Sequence, residues 1–135
     1  MPEIKKINHI AVAVNDIESA LPFWQEALGL RLDHTEDVPS QKASVAFLPV
    51  GESEIELVQP TSPDTGTAKF LAERGPGMHH LCLEVDDIEG MLAQLKAKGV
   101  RLINETPQEL EGRRMAFVHP KSTGGVLVEL YEITG

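Results

Sequence analysis

NHIAVAVNDIE (residues 8–18) returns 71 residues later as HHLCLEVDDIE (residues 79–89). Two copies at so long a spacing are too few for a solenoid, and they indicate an internally duplicated domain with pseudo-twofold symmetry. Each copy places a histidine at the same point, so we expect His9 and His80 to face each other across the symmetry axis. Two imidazoles that meet on an axis point to a metal ion.

Length and composition indicate one globular domain. The 135 residues, 41% of them hydrophobic, suffice for one core shared by two half-domains, so we expect a single domain over residues 1–135. The formal charge of −9 argues against a nucleic-acid partner, which would require a basic face. No signal peptide or membrane span is predicted, and the single cysteine, Cys82, lies in an apolar run typical of packing. We therefore expect a cytoplasmic protein without a membrane partner.

The hydrophobic pattern predicts a strand, a helix and three further strands in each half. Residues 7–14 alternate as a strand, and the helices begin after Asp16 and Asp87 and end at Gly29 and Gly99. The further strands are predicted at 30–36, 43–49 and 54–59, and again at 100–105, 114–119 and 126–133. Module one then covers about residues 5–60 and module two about 78–133, joined by a linker at 61–77 that contains a short helix at 68–73.

Four polar side chains point away from the apolar faces of their strands: His9, Glu56, His80 and Glu129. Strand alternation places Glu56 opposite to its neighbours Ile55 and Leu57, and the same parity selects His80 over His79. Taken singly, each residue is well explained by a solvated sheet face. Together, two buried carboxylates beside two imidazoles would be costly without a compensating cation. The donors suit Co²⁺, Mn²⁺, Ni²⁺, Zn²⁺ or Fe²⁺.

The duplicated module with its His, Glu, His, Glu set resembles the vicinal oxygen chelate superfamily, which contains glyoxalases, bleomycin resistance proteins and dioxygenases. Within it the chain is most similar to the methylmalonyl-CoA epimerase family. The likeness is carried by NHIAVAV (8–14), VAFLPVG (45–51), EIEL (54–57), AKFL (68–71), GMHHLCLEVD (77–86), AFVHPKS (116–122) and GVLVEL (125–130). It implies an α+β fold in which two tandem βαβββ modules form a half-open mixed β barrel around a metal site.

The resemblance also implies a reaction, the metal-dependent epimerisation of (R)- and (S)-methylmalonyl-CoA by 1,1-proton transfer through a metal-stabilised enolate. The metal ligands would be His9, Glu56, His80 and Glu129, with Co²⁺ as the favoured ion. Glu129 matches a family carboxylate that is both metal-adjacent and an acid-base group, and pseudo-symmetry makes Glu56 the second acid-base group. The expected partner is a small acyl-CoA, and we expect a homodimer.

The chain departs from the family pattern at the second proton carrier. Some members have a catalytic glutamate on the third strand, where this chain has Ser44-Val45-Ala46. Glu56, a water molecule or a residue of the Glu36-Asp37 turn would then take that role.

Basic side chains near the second module are candidates for binding the coenzyme A phosphates. They are Arg113, Arg114 and Lys121, with Lys42 from the first module. The alternative for each one is that it merely solvates a loop.

Two other classes of function stay open on the sequence. One is a glyoxalase I type lactoylglutathione lyase, which would act on a glutathione hemithioacetal. The other is a non-catalytic binding protein of the same fold, such as a drug-sequestering resistance protein. Those binding proteins usually lack the metal ligands, so the His, Glu, His, Glu set counts against that class.

Overall fold

The computed structural model describes residues 2–135. In that part of the chain the strands are β1 (Ile4–Ala13), β2 (His34–Val38), β3 (Ala43–Val50), β4 (Ser53–Pro60), β5 (Gly77–Val85), β6 (Gln108–Leu110), β7 (Arg113–Val118) and β8 (Val128–Ile133). The α-helices are α1 (Ile17–Leu21), α2 (Gly66–Arg74) and α3 (Ile88–Ala97). Their order is strand, helix and three strands, given twice with α2 between, as the sequence pattern predicts. The chain forms two compact units, residues 9–79 and residues 2–8 with 80–135.

The first unit holds strands in the order β2-β3-β4-β1. Its neighbours pair antiparallel except β4 and β1, which are parallel, as a helical crossover between them requires. The core lies between the sheet and the helical segment that follows β1, and its buried members are Val14, Ile17, Ala46, Leu48 and Leu57.

The second unit repeats this arrangement with the order β5-β8-β7-β6. Here β5 and β8 are the parallel pair, and the first half of β1, residues 4–8, lies beside β5. Helix α3 covers the apolar face, where the buried residues are Val85, Ile88, Met91, Leu92, Ala116, Val118 and Leu130.

Helix boundaries follow the predicted signals in both units. Asp16 and Asp87 are the N-caps, and each side chain accepts the backbone N–H three residues further on. Gly29 and Gly99 follow the helical segments with φ of 83° and 79°, a left-handed conformation that favours glycine.

The sequence pattern predicts one regular helix between Asp16 and Gly29, but the observed helix is not regular to its end. Its α-helical part stops at Leu21, and Pro22–Ala27 form a π-helical segment in which Leu28 N–H donates to the Phe23 carbonyl at 2.9 Å. Pro22 has no N–H to donate to the preceding turn, so the regular hydrogen-bond ladder is interrupted there.

The strand predicted at 100–105 is wrong. Only Leu102 makes a bridge, to Val118, and the Asn104 side chain accepts the N–H of Phe117 at 2.8 Å in place of a backbone carbonyl. Pro107 cannot donate to a ladder, and β6 begins directly after it.

Other predicted boundaries shift as well. The strand predicted at 30–36 is β2, which begins only at His34 because Leu30 and Leu32 pack into the core of the first unit instead. The predicted linker is largely filled by α2, which exceeds the expected 68–73, and its last residue, Gly77, already belongs to β5.

Between residues 2 and 135 no helix combines the length and apolar character needed to cross a bilayer.

Candidate metal centre

In the first unit, His9 and Glu56 form a histidine–glutamate pair on adjacent strands. His9 Nδ1 lies 3.2 Å from Glu56 Oε2, with β1 and β4 adjacent and parallel. Because Ile55 and Leu57 face the core, Glu56 is turned to the other face of the sheet. His9 is 1% exposed, so its contact with the carboxylate is largely shielded from water.

The second unit contains the equivalent pair. His80 Nε2 lies 2.9 Å from Glu129 Oε1, and Glu129 is 5% exposed. The neighbouring His79 contacts the ring of Phe70 edge-on, with 5.2 Å between centroids. The histidine that strand parity selects, His80, is therefore the one that forms a pair with a glutamate.

An aromatic ring stands beside each pair. In the antiparallel registers Phe47 lies opposite Glu56, and Phe117 lies opposite Glu129. His80 also meets the edge of Phe117, with 5.5 Å between ring centroids. Apolar surface beside a carboxylate lowers the local dielectric constant and so strengthens the interaction of the carboxylate with a cation.

One strand position distinguishes the two units. Glu56 has Ala11 opposite it on β1, whereas Glu129 has Cys82 opposite it on β5. Cys82 is fully buried, and its Sγ lies within 4.8 Å of a Glu129 carboxylate oxygen. The local sequence pattern predicts packing for this cysteine, and its full burial agrees with that. The register that brings it beside Glu129 is set by distant segments of the chain.

Each pair has the donors that a divalent cation prefers in proteins, one imidazole nitrogen and one carboxylate oxygen. A buried carboxylate requires a positive partner, which a protonated histidine or a cation supplies. The donor sets of both units therefore fit a divalent metal ion.

The predicted basic residues have varied surroundings. Arg114 forms ion pairs with three carboxylates, at 2.7 Å to Glu109, 3.0 Å to Glu89 and 3.8 Å to Glu132, and its hydrogen bonds to Glu109 and Glu89 raise its pKa. Arg114 is thus held by carboxylates of its own unit.

The other three predicted cations differ from Arg114. Arg113 lies over the ring of Tyr131 at 5.3 Å, and Lys42 is paired with Asp64 at 2.9 Å. Lys121 is exposed in the short 3₁₀ turn after β7. It has no ion pair within residues 2–135.

Sequence reasoning missed two sets of polar contacts near the pairs. The side chains of Gln59 and Glu132 accept the N–H groups of Ile17 and Ile88, the first residues of α1 and α3. The sequence feature that could have identified them is that each lies three residues after a candidate ligand glutamate. Glu84 is 7% exposed and contacts Asn8 at 3.1 Å and Lys5 at 3.6 Å. Nothing in the local pattern around Glu84 indicates those partners.

Residues 8–117 match the family model of the Glyoxalase/Bleomycin resistance protein/Dioxygenase superfamily. The chain is 39% identical over 127 residues to the human (Homo sapiens) protein named Methylmalonyl-CoA epimerase, mitochondrial, covering 93% of this chain and 72% of that one. It is 34% identical over 134 residues to the Ethylmalonyl-CoA/methylmalonyl-CoA epimerase of Cereibacter sphaeroides, covering 96% and 99%. A solved methylmalonyl-CoA epimerase in complex with methylmalonyl-CoA and NH4+ superposes with a TM-score of 0.89 at 31% identity, covering 98% and 97%.

Proposed function

Because the chain belongs to the methylmalonyl-CoA epimerases of the glyoxalase/bleomycin resistance protein/dioxygenase superfamily, we propose that it interconverts (R)- and (S)-methylmalonyl-CoA. The expected α+β fold of two tandem βαβββ modules is confirmed, and the chain is an epimerase acting on an acyl-CoA thioester. The structural observation that carries the proposal is the recurrence of one histidine–glutamate pair at equivalent positions of both modules.

We propose further that His9, Glu56, His80 and Glu129 are ligands of one divalent cation. Co²⁺ is the ion we favour, ahead of Mn²⁺, Ni²⁺, Zn²⁺ and Fe²⁺. Neither pair alone completes a coordination shell, while two pairs supply four donors and leave room for substrate oxygens. When bound, the cation stabilises the negative charge that develops on the thioester oxygen as the α-proton leaves.

Inversion at the α-carbon requires a proton carrier on each face of the substrate. We assign one of these roles to Glu129, whose carboxylate is almost fully buried and lies 2.9 Å from His80 Nε2. In this role it removes the α-proton of one epimer and, in the reverse reaction, returns a proton to the enolate on that same face, while the contact with His80 holds its orientation.

The second proton carrier is proposed to be Glu56, the pseudo-symmetric counterpart of Glu129. The sequence left either Glu36 or Asp37 as an alternative second proton carrier. Both residues lie in strand β2, but on different faces of the sheet. Glu36 lies opposite Val45, which in turn lies opposite Val58, so it shares the sheet face of Glu56. Asp37 has the other parity and accepts a hydrogen bond from Ser44 at 2.6 Å. Glu36 is therefore the alternative carrier from this segment, and a water molecule stays a further alternative.

For the substrate's phosphates we propose Lys121 as a contact, since it is exposed and has no ion pair within the described residues. Arg113 and Arg114 would first have to leave the partners described above. A homodimer and a cytoplasmic location complete the proposal and rest on the sequence reasoning.

The test is isotope exchange. Protein loaded with each of the five metals is incubated with (S)-methylmalonyl-CoA in deuterated water, and mass and NMR spectra are recorded. We expect deuterium at the methine carbon together with formation of the (R) epimer. Absence of exchange with every metal would overturn the proposal. Ethylmalonyl-CoA and the glutathione hemithioacetal of methylglyoxal, run in parallel, define the substrate and test the lyase alternative.

A further inference from the structure

Three residues with nitrogen-bearing side chains, Arg101, His119 and Lys121, lie next to one another in the second unit where β7 ends. His119 N–H donates to the Arg101 carbonyl at 3.0 Å, which sets the two residues side by side. Arg101 N–H donates to Ser122 Oγ at 2.9 Å, and Lys121 N–H donates to His119 Nδ1 at 3.1 Å. We call Arg101, His119 and Lys121 the cationic cluster.

No carboxylate of residues 2–135 forms an ion pair with a member of the cationic cluster. The chain has 21 acidic residues against 12 lysines and arginines, and Arg114 of the second unit is paired with three glutamates. Within residues 2–135, however, neither Arg101 nor Lys121 has an ion-pair partner. Burial, together with the charges of Arg101 and Lys121, lowers the pKa of His119. Such a positive site in an acidic protein favours an anionic ligand.

The cluster lies close to the His80–Glu129 pair of the same unit. Phe117 is directly opposite Glu129 on the neighbouring strand. His119 follows two residues later in an extended conformation, on the same face and about 7 Å further along at the usual rise of a strand. The charges of Arg101 and Lys121 act on the His119 ring at that point.

We propose that Arg101, His119 and Lys121 bind a phosphate group of the acyl-CoA substrate, an inference that rests on the proposed epimerase function. Arginine offers a planar fork that matches phosphate oxygens, and lysine adds a point charge. His119 Nδ1 accepts the Lys121 N–H, so the neutral ring carries its proton on Nε2 and donates from there. The competing anion is the carboxylate of the malonyl group, which the same cluster would also attract.

Kinetics with two thioesters separate these anions. Arg101→Gln and Lys121→Gln are compared with Lys69→Gln, which removes an exposed lysine of α2. Each cluster variant should raise KM for methylmalonyl-CoA about tenfold, in line with loss of a charge-assisted hydrogen bond, with kcat unchanged. KM for methylmalonyl-pantetheine, which lacks the phosphates, should stay at the wild-type value. An equal rise for both esters would assign the cluster to the carboxylate, and no rise would show that it binds neither group; both results overturn the inference.

A binding measurement decides the inference even if the protein epimerises nothing. The ring signals of His119 are followed by NMR while adenosine 3′,5′-bisphosphate or inorganic phosphate is added. We expect the pKa of His119 to rise as the anion offsets the neighbouring charges, and the effect to be lost in Arg101→Gln and kept in Lys69→Gln. An unchanged His119 titration in the wild type would overturn phosphate binding and leave the epimerase proposal standing.

Discussion

Gln59 and Glu132 occupy equivalent positions, and each side chain accepts the N–H of the first residue of a helix, Ile17 at 2.9 Å and Ile88 at 2.8 Å. Each stands three residues after the candidate ligand glutamate of its module. The end of one strand therefore anchors the start of a helix in both halves, in addition to the Asp caps. The duplication extends to these contacts, although the two residues differ in charge.

Replacing Gln59 by Leu should destabilise the protein by about 1–3 kcal/mol, because the N–H of Ile17 would lose its partner at a partly buried site. Gln59→Glu is the matched control, since it keeps the acceptor and reproduces the arrangement at Glu132. Urea denaturation followed by circular dichroism gives both free energies of unfolding. Equal stability of the Leu variant and the wild type would show that water satisfies the Ile17 N–H.

Metal addition should raise the melting temperature, because a ligand bound only by the native state stabilises it, by about 2.7 kcal/mol at a concentration of one hundred times Kd. His9→Ala and Glu129→Ala should each weaken this shift, since they lie in different modules and both modules are proposed to serve one ion. His34→Ala is the control, as its exposed ring belongs to neither pair. A full shift in either ligand variant would mean that one pair binds metal without the other.

Local sequence patterns predict the features of the fold and site that depend on residues close together in the chain. The period-two alternation around His80 chose it over His79, and the Asp and Gly punctuation located both helices. Residue pairing across strands is decided by distant segments, so the position of Cys82 opposite Glu129 was not predictable. The same holds for residues 100–105, where a side-chain acceptor from Asn104 replaces part of the ladder.

Glu36→Gln and Asp37→Asn distinguish the candidate proton carriers of β2. If Glu36 supplies the second proton, Glu36→Gln should slow racemisation by about 10²–10⁴-fold, the usual effect of removing an acid-base group. Asp37→Asn, which lies on the other face, should leave the rate within about twofold. Exchange of the substrate's α-proton with solvent, measured in the same reactions, reports only the removal of the proton by Glu129. Unchanged racemisation in Glu36→Gln would leave Glu56 or a water molecule as the carrier.

Two histidines should titrate in opposite directions from the ordinary value. The hydrogen bond to Asp33 at 2.7 Å raises the pKa of His34, whereas burial and then Arg101 and Lys121 lower that of His119. His34, whose pKa is raised, stabilises the fold fully at pH values below 6.5, the pKa of the unfolded state. This contribution is lost as the pH rises through the pKa of the folded state. His119 acts in reverse, since its lowered pKa destabilises the fold as the pH falls through 6.5.

NMR titration of the histidine ring signals checks both directions in one sample. Asp33→Asn should return the pKa of His34 toward its ordinary value and leave His119 unaffected. Titration of the two rings at the same pH would contradict the contacts assigned to them.

Lys42 is the one residue other than glycine with positive φ in residues 2–135, at 52°, where it ends the turn between β2 and β3. Lys42→Gly should therefore be more stable than Lys42→Ala by about 1 kcal/mol, because glycine adopts the left-handed conformation without a steric penalty. The comparison is matched, since both variants lose the ion pair with Asp64, which lowers the pKa of that carboxyl to about 2. The pKa of Asp64 should accordingly rise toward 3.8 in both. Urea denaturation of the two variants at pH 7 measures the difference, and equal stabilities would show that the turn relaxes away from positive φ when the lysine is removed.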